Sequence, residues 1–434
     1  MIYYLYNFLL TCFLLLSIPY FLLRSLLSKR FRKALPERMG FFQSPSFRKP
    51  IWVHAASVGE VFCSMPLLKK IKGEFPHTNF VLTTITAAGN EAAKSSLPGT
   101  DRVLFAPIDH PSINRRTIRK IQPSMLLIAE TEIWPNLLRS CGKKGIPIIL
   151  FNGRISPKSY RRYLLFKFFF KECLRYISLF LMQTDEDRAR VIEIGGESQN
   201  AKTVGNLKFD QTLPPYAQET LTEMSKALRL QGEEKILIAG STHSGEEEIL
   251  VGLYKELKKT YSDLILILAP RHLDRLEEVE KILGKEALSW LRKTSLPTDD
   301  RRSDPGHPEV ILLDTMGELM SIYSLGTLVF VGGSLVAVGG HNPLEPLFFR
   351  KCVLFGPYMF HFSEIASRLI EAGGAIQVST KEELFSQLKR LLSDEEARKD
   401  FGEKGYQFLK RHQGATERML EEIRPFLIKK TLSA

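Results

Sequence analysis

The chain opens with an apolar run. Met1 to Leu23 carries no charged side chain and is rich in Leu, Phe, Ile and Tyr. As a helix this run reaches about 35 Å, enough to cross a bilayer. It starts Met-Ile-Tyr-Tyr and ends in bulky residues, whereas a cleaved signal peptide starts basic and ends small. Arg24, Lys29, Arg30, Arg32 and Lys33 follow it. The segment therefore reads as an uncleaved transmembrane anchor over residues 1–27, with the basic flank keeping the rest of the chain cytoplasmic. A buried core helix is the competing reading.

From Pro50 short apolar runs alternate with helical patterns. Ile51–Ala55, Phe80–Thr84, Arg102–Phe105, Met125–Ala129, Pro147–Phe151, Leu179–Met182 and Ala201–Val204 read as strands. A second series follows at Ile236–Ala239, Leu264–Ala269, Val310–Leu313, Thr327–Val331, Cys352–Phe355 and Ala375–Val378. Strands alternating with helices predict mostly parallel sheets. Residues 211–231, with the adjacent Pro214 and Pro215, read as a linker, and Lys293 to Pro308 as an exposed loop. The expectation is an α/β protein of two doubly wound domains, 34–210 and 232–434, with ligands in a cleft at the carboxyl ends of their strands.

Size and composition fit this picture. A chain of 434 residues, 44% hydrophobic and 25% charged, can build two cores. The net charge of +12 suits an anionic partner, whether nucleic acid, acidic lipid or a phosphorylated substrate. Nucleic-acid motifs are absent, so nucleic acid is not the expected partner. Five cysteines without a C-x-x-C pair and nine histidines without H-E-x-x-H suggest neither a disulfide framework nor a tightly held metal.

The most informative stretch is Leu328-Val-Phe-Val-Gly-Gly-Ser-Leu-Val-Ala-Val-Gly-Gly-His-Asn-Pro-Leu-Glu-Pro346. It reads as a buried strand, a glycine-rich loop and a helix start, with Asn342 as cap and Pro343 in the first turn. Free N–H groups and a positive dipole end there favour a phosphate, and Glu345 suits a ribose. The alternative is a tight loop with a helix cap. Gly240-Ser-Thr-His-Ser-Gly-Glu-Glu247, Ala269-Pro-Arg-His272 and Asp314-Thr-Met-Gly-Glu318 also fall at strand carboxyl ends, so four loops converge on a nucleotide site. Arg271 offers a forked donor set for phosphate or a pyrimidine edge.

In the first half, Trp52-Val-His-Ala-Ala-Ser-Val-Gly-Glu60 runs from strand into helix. Ser57 and Glu60 form a capping box by spacing, which alone accounts for both. The functional reading makes Glu60 a general base for a sugar hydroxyl. Glu130 and Glu132 lie beyond another strand, at a spacing that points both the same way in extended chain. Helix-start acids complementing a dipole are the alternative. Lys208, in Gly205-Asn-Leu-Lys-Phe-Asp210, is either a surface lysine or a cation offsetting charge on a leaving group. Arg154 to Tyr176 interleaves basic and aromatic residues, as a membrane-surface helix does and as an ordinary helix burying one aromatic face also would.

Taken together these motifs resemble those of the Kdo (3-deoxy-D-manno-octulosonic acid) transferases. Arg38-Met-Gly40, His54–Glu60, Glu130–Asn136, Asn152–Ser156, Gly205–Asp210, Pro270–His272 and Gly339–Pro346 stand in the family's order over essentially the whole chain. The length and aromatic first residues also resemble the chlamydial members. The resemblance implies a GT-B inverting glycosyltransferase with two Rossmann-like domains. It implies CMP-Kdo as donor and the tetraacylated lipid A precursor as acceptor at the inner membrane, with one or several Kdo residues added. It implies Glu60 as the base, with Glu132 and Lys208 in supporting roles. Arg271, His272, Met316, Gly317, Glu318, Asn342, Pro343, Leu344 and Glu345 match its CMP-binding segments. No cofactor or tightly bound metal is implied, and neither the number of Kdo residues nor the oligomeric state has a local signature. A nucleotide-sugar epimerase is the alternative enzyme, and it would need no anchor.

Overall fold

A computed structural model describes residues 2–96, 101–210, 218–228, 230, 232–296 and 308–432. The chain divides into one unit of Met1–Thr212 with His412–Ala434, and a second of Leu213–Arg411.

The first unit is built on a parallel sheet of β1 (Ile51–His54), β2 (Phe80–Thr84), β3 (Arg102–Phe105), β4 (Met125–Ala129), β5 (Ile148–Gly153), β6 (Leu179–Met182) and β7 (Ala201–Thr203). Their order is β3-β2-β1-β4-β5-β6-β7. The central strands are continuous apolar runs because helices cover both faces. Period-two alternation divides them. Ile51, Val53, Leu127 and Phe151 enter one core, while Trp52, Leu126, Ile128 and Leu150 enter the other. The order reverses between β1 and β4, the place where open α/β sheets put their ligands.

The second unit repeats the plan with β8 (Lys235–Thr242), β9 (Leu264–Pro270), β10 (Trp290–Arg292), β11 (Val310–Leu312), β12 (Leu328–Val331), β13 (Val353–Phe355) and β14 (Ala375–Gln377). The order β10-β11-β9-β8-β12-β13-β14 puts its reversal between β8 and β12. Thirteen of these fourteen strands lie where the apolar runs predict them. The exception is β10, three half-exposed residues at a sheet edge that carry too little periodicity to register.

Four expectations are corrected. The single straight anchor over residues 1–27 is two helices, Ile2–Leu16 and Ile18–Leu27, bent by 47°. Pro19, in the first turn of the second helix, has no N–H to continue the ladder. Among the described residues no single helix is long and apolar enough to cross a membrane. The second domain does not run to residue 434. Met419, Leu420, Ile423 and Leu427 of the last helix are buried in the first unit's core with Val204 and Leu207, because burying that stripe outweighs chain order. The linker over 211–231 contains a helix, Gln218–Ala227, while Pro214 and Pro215 lie outside the described residues. The basic aromatic stretch is likewise two helices, Pro157–Leu165 and Lys167–Leu174, broken at Phe166.

Candidate active site

Glu60 begins the helix Val58–Glu74, which starts just past the end of β1. Both sequence readings of it hold at once. Its backbone N–H donates to Ser57 Oγ (3.4 Å), which completes the cap. Its carboxylate accepts from Ala56 N (2.8 Å) and Ser57 Oγ (2.9 Å). Burial nevertheless raises its pKa from 4.5 to about 7, and the charges of Glu130 and Glu132 push the same way. A carboxyl poised near neutrality is matched to accepting a proton from a hydroxyl.

The two acids after β4 do not share an extended segment. Glu130 has φ +53, a left-handed conformation that a side chain with a Cβ adopts at a cost of about 1–2 kcal/mol. Its N–H is fixed by Phe151 O (3.0 Å). Glu132 accepts from Trp134 Nε1 (3.0 Å), and burial raises its pKa. Of the two, Glu130 exerts the larger field on Glu60.

Lys208 sits on a short 3₁₀ turn, Leu207–Asp210, held by a polar scaffold. Asn152, itself left-handed at φ +52, accepts from Leu207 N (3.0 Å) and donates to Cys63 Sγ (3.2 Å). Gln183 donates to Asn152 O (2.9 Å) and accepts from Asn206 (2.8 Å). Cys63 feels Glu130, Lys208, Glu60 and Asp210 together, and burial pushes its thiol up to about 12. The ends of β1, β4, β5 and β6, with the turn after β7, thus gather a buried glutamate, a strained acid and a lysine at the first unit's switch point.

At the second unit's switch point Glu246, fully buried, changes the reading of the glycine loop. Its carboxylate accepts from four backbone N–H groups: His243 (2.9 Å), Gly333 (2.7 Å), Ser334 (2.9 Å) and Leu335 (2.8 Å). The N–H groups expected to meet a phosphate are therefore satisfied inside the protein, and Glu246 clips the β8 and β12 loops together. Gly332 is required here, since a Cβ would lie 2.6 Å from Ser241 O. Nor does a helix dipole follow the loop. Asn342 Oδ1 accepts from Leu344 N (3.1 Å), capping a turn, and only the 3₁₀ segment Pro346–Phe349 comes after it.

The arginine and histidine expected at this site are present. Arg271 and His272, just past β9, are exposed, and Arg271 acts on His243, His341 and Glu345. His243 Nε2 lies 2.8 Å from His341 Nε2 with the rings stacked, and His272 meets His243 edge-on. Burial drives the His341 pKa down to about 3, with Arg271 and the neighbouring histidines adding to the shift. Burial raises Glu345 to about 7, while Asn342 Nδ2 donates to it (3.2 Å). Pro343 and Leu344 are buried beneath this turn. The Met316-Gly317-Glu318 turn keeps its own place: Met316 is exposed, Gly317 is left-handed (φ +88), and the Glu318 carboxylate pairs with Lys293 (2.6 Å). Glu318 thus has a structural partner, leaving backbone as what this turn can present. His243, His341 and Glu246 are the members sequence reasoning passed over. All lie in motifs it had marked, but their pairing joins residues about 90 positions apart.

Two doubly wound units of this kind define a GT-B-type fold. In solved structures the same architecture appears in UDP-GlcNAc 2-epimerase from Neisseria meningitidis bound to UDP-GlcNAc (TM-score 0.57, 12% identity, covering 88% of this chain and 100% of that one). That likeness reaches the fold alone. Residues 33–211 match the family described as 3-Deoxy-D-manno-octulosonic-acid transferase (kdotransferase). The 3-deoxy-D-manno-octulosonic acid transferase of Haemophilus influenzae is 36% identical over 411 residues, 93% of this chain and 94% of that one. The transferase of the same name from Chlamydophila psittaci is 29% identical over 435 residues, 98% of this chain and 97% of that one. The chain belongs to the 3-deoxy-D-manno-octulosonic acid transferase family and is a glycosyltransferase.

Proposed function

We propose that this enzyme transfers Kdo from CMP-Kdo to a hydroxyl of the tetraacylated lipid A precursor, at the cytoplasmic face of the inner membrane, with inversion. The observation that carries the reading is Glu60: a carboxyl at the end of β1 whose pKa burial raises to about 7. It takes the proton as the acceptor oxygen attacks the anomeric carbon and the bond to the CMP phosphate breaks. The leaving group departs as an anion, so it needs positive charge rather than a proton. Each unit offers a cation for this, Lys208 in the first and Arg271 in the second, and Glu130, whose field on Glu60 exceeds that of Glu132, keeps the base's affinity for a proton high. Met316–Glu318 and Asn342–Glu345 hold the nucleotide through backbone and ribose contacts, and no cofactor or metal takes part.

The test is transfer from CMP-Kdo to the precursor by wild type and by Glu60→Gln. Wild type forms product, and mass analysis counts the Kdo residues, one or several in succession. The variant binds CMP and loses about 10²-fold or more in kcat. A fully active variant would move the base to Glu130 or Glu132.

A further inference from the structure

The first 40 residues do not stand away from the first unit as a tether. The start of the bent helical pair is pinned to it, and so is the helix that follows the pair. At the start, Tyr6 Oη donates to Asp109 (3.2 Å), Asn136 Nδ2 donates to Asn7 (2.7 Å), and Tyr3 Oη reaches Pro135 O (3.4 Å). Asp109 is buried and also accepts from Asn136 N, Leu137 N and Asn114. Tyr3 is buried beneath the Arg139 guanidinium (4.4 Å), and Phe169 packs on Tyr3 and Tyr6. At the far end, the helix Lys29–Arg38 is held where Phe105 N donates to Glu37 (2.9 Å) and Arg116 donates to Met39 O (3.0 Å). Phe21 stacks on Phe31 (6.0 Å), folding the chain back at Ser28.

A single pass puts its two ends on opposite sides of a bilayer about 30 Å thick. Here the start of the pair and the helix after it both meet one domain, and the start meets it through a buried carboxylate that cannot follow the helix into hydrocarbon. Spanning and docking exclude each other. The helix's other face explains why it is apolar all the same. Tyr3, Tyr6 and Asn7 make the docked stripe, while Leu5, Phe8, Leu9, Phe13 and Leu16 are 58–82% exposed. The second helix exposes Leu22, Leu23, Leu26 and Leu27. Beside Phe169, the Phe166 break exposes Leu165, Phe166 and Phe168, flanked by exposed Arg161, Arg162, Lys167 and Lys171.

We propose that the exposed apolar face of residues 2–27 lies in one leaflet, a monotopic insertion from which the chain returns along Lys29–Arg38, with the Leu165–Phe168 knuckle beside it and the lysines and arginines on anionic headgroups. This occupant fits because apolar tips ringed by basic residues match an acidic lipid surface and little else of that extent. The proposal rests on the membrane-bound reading of the enzyme above.

The test uses the full chain in a bacterial inner membrane, with Cys12 replaced by alanine; the other cysteines are buried. A cysteine appended ahead of Met1 and, separately, Lys29→Cys report the two ends to a membrane-impermeant maleimide. Monotopic insertion labels both from the cytoplasmic side only, in inside-out vesicles and not in spheroplasts. Labelling of the first reporter in spheroplasts, or on neither side until detergent is added, overturns it. A chain that stays in the soluble fraction sinks the membrane reading itself, a separate failure. As a second readout, Leu165, Phe166 and Phe168→Ser lowers binding to vesicles containing phosphatidylglycerol several-fold, and unchanged binding argues against the knuckle.

Discussion

Replacing Glu60 by glutamine should stabilise the protein above neutral pH while it destroys activity. Burial holds the Glu60 carboxyl at about 7, against 4.5 in the unfolded chain. Between those values the folded state binds a proton that the unfolded state has released, so stability falls as pH rises through this window. By pH 8 the deficit reaches about 3 kcal/mol; at pH 5 it is under about 1 kcal/mol. Glutamine removes the titration. Its amide oxygen still accepts from Ala56 N, and its NH₂ donates to Ser57 Oγ, the partners Glu60 has now. Exchanging charged for neutral hydrogen bonds gives back about 1–2 kcal/mol. The net effect is a gain of about 1–2 kcal/mol at pH 8 and a loss of up to about 1 kcal/mol at pH 5. Urea titrations or melting temperatures of both proteins at the two pH values measure it, and wild-type kcat/KM should rise about tenfold per pH unit below 7 and then level. A variant equally destabilised at pH 5 and pH 8 would refute the argument, because Glu60 would then be a helix cap with an ordinary pKa.

Glu246→Gln turns an NH₂ toward backbone donors, so at least one pair of N–H groups loses its acceptor at a cost of about 3–5 kcal/mol. Hydrogen exchange of the Gly333–Leu335 amides should quicken, and CMP binding should weaken with it. Arg271→Ala raises the KM for the CMP-sugar by about 10-fold or more with little loss of fold, since its side chain is exposed; steady-state kinetics and a melting curve read both. Ile423→Ala, in the last helix, costs about 2–5 kcal/mol and should destabilise the first unit, as limited proteolysis of the two units will show.

What the sequence revealed and what it hid divide along one physical line. Strands buried on both faces write themselves as apolar runs, so β1 and β4 and their order relative to the chemistry were legible, as were Glu60 and the loop of Gly332–Glu345. Pairings between distant segments leave no local mark. Nothing near Glu246 says that its carboxylate will occupy the amides of Gly333, Ser334 and Leu335, so the loop looked open to a phosphate when it is closed by the protein's own anion. The same holds for the last helix, whose Leu420 and Ile423 suit either core by pattern and join the first because Val204 and Leu207 lie there. Tyr6 and Asn7, one turn from Tyr3, are the exception: Thr11 and Ser17 bond carbonyls of their own helix, Asn7 O and Phe13 O, whereas the side chains of Tyr6 and Asn7 reach out of it. In a spanning helix they are a cost, and their partners Asp109 and Asn136 lie more than 100 positions away. Tyr6 and Asn7 thus leave in the apolar run a local trace of a long-range contact. In this chain that trace marks where a presumed anchor is fastened to the domain it was thought only to tether.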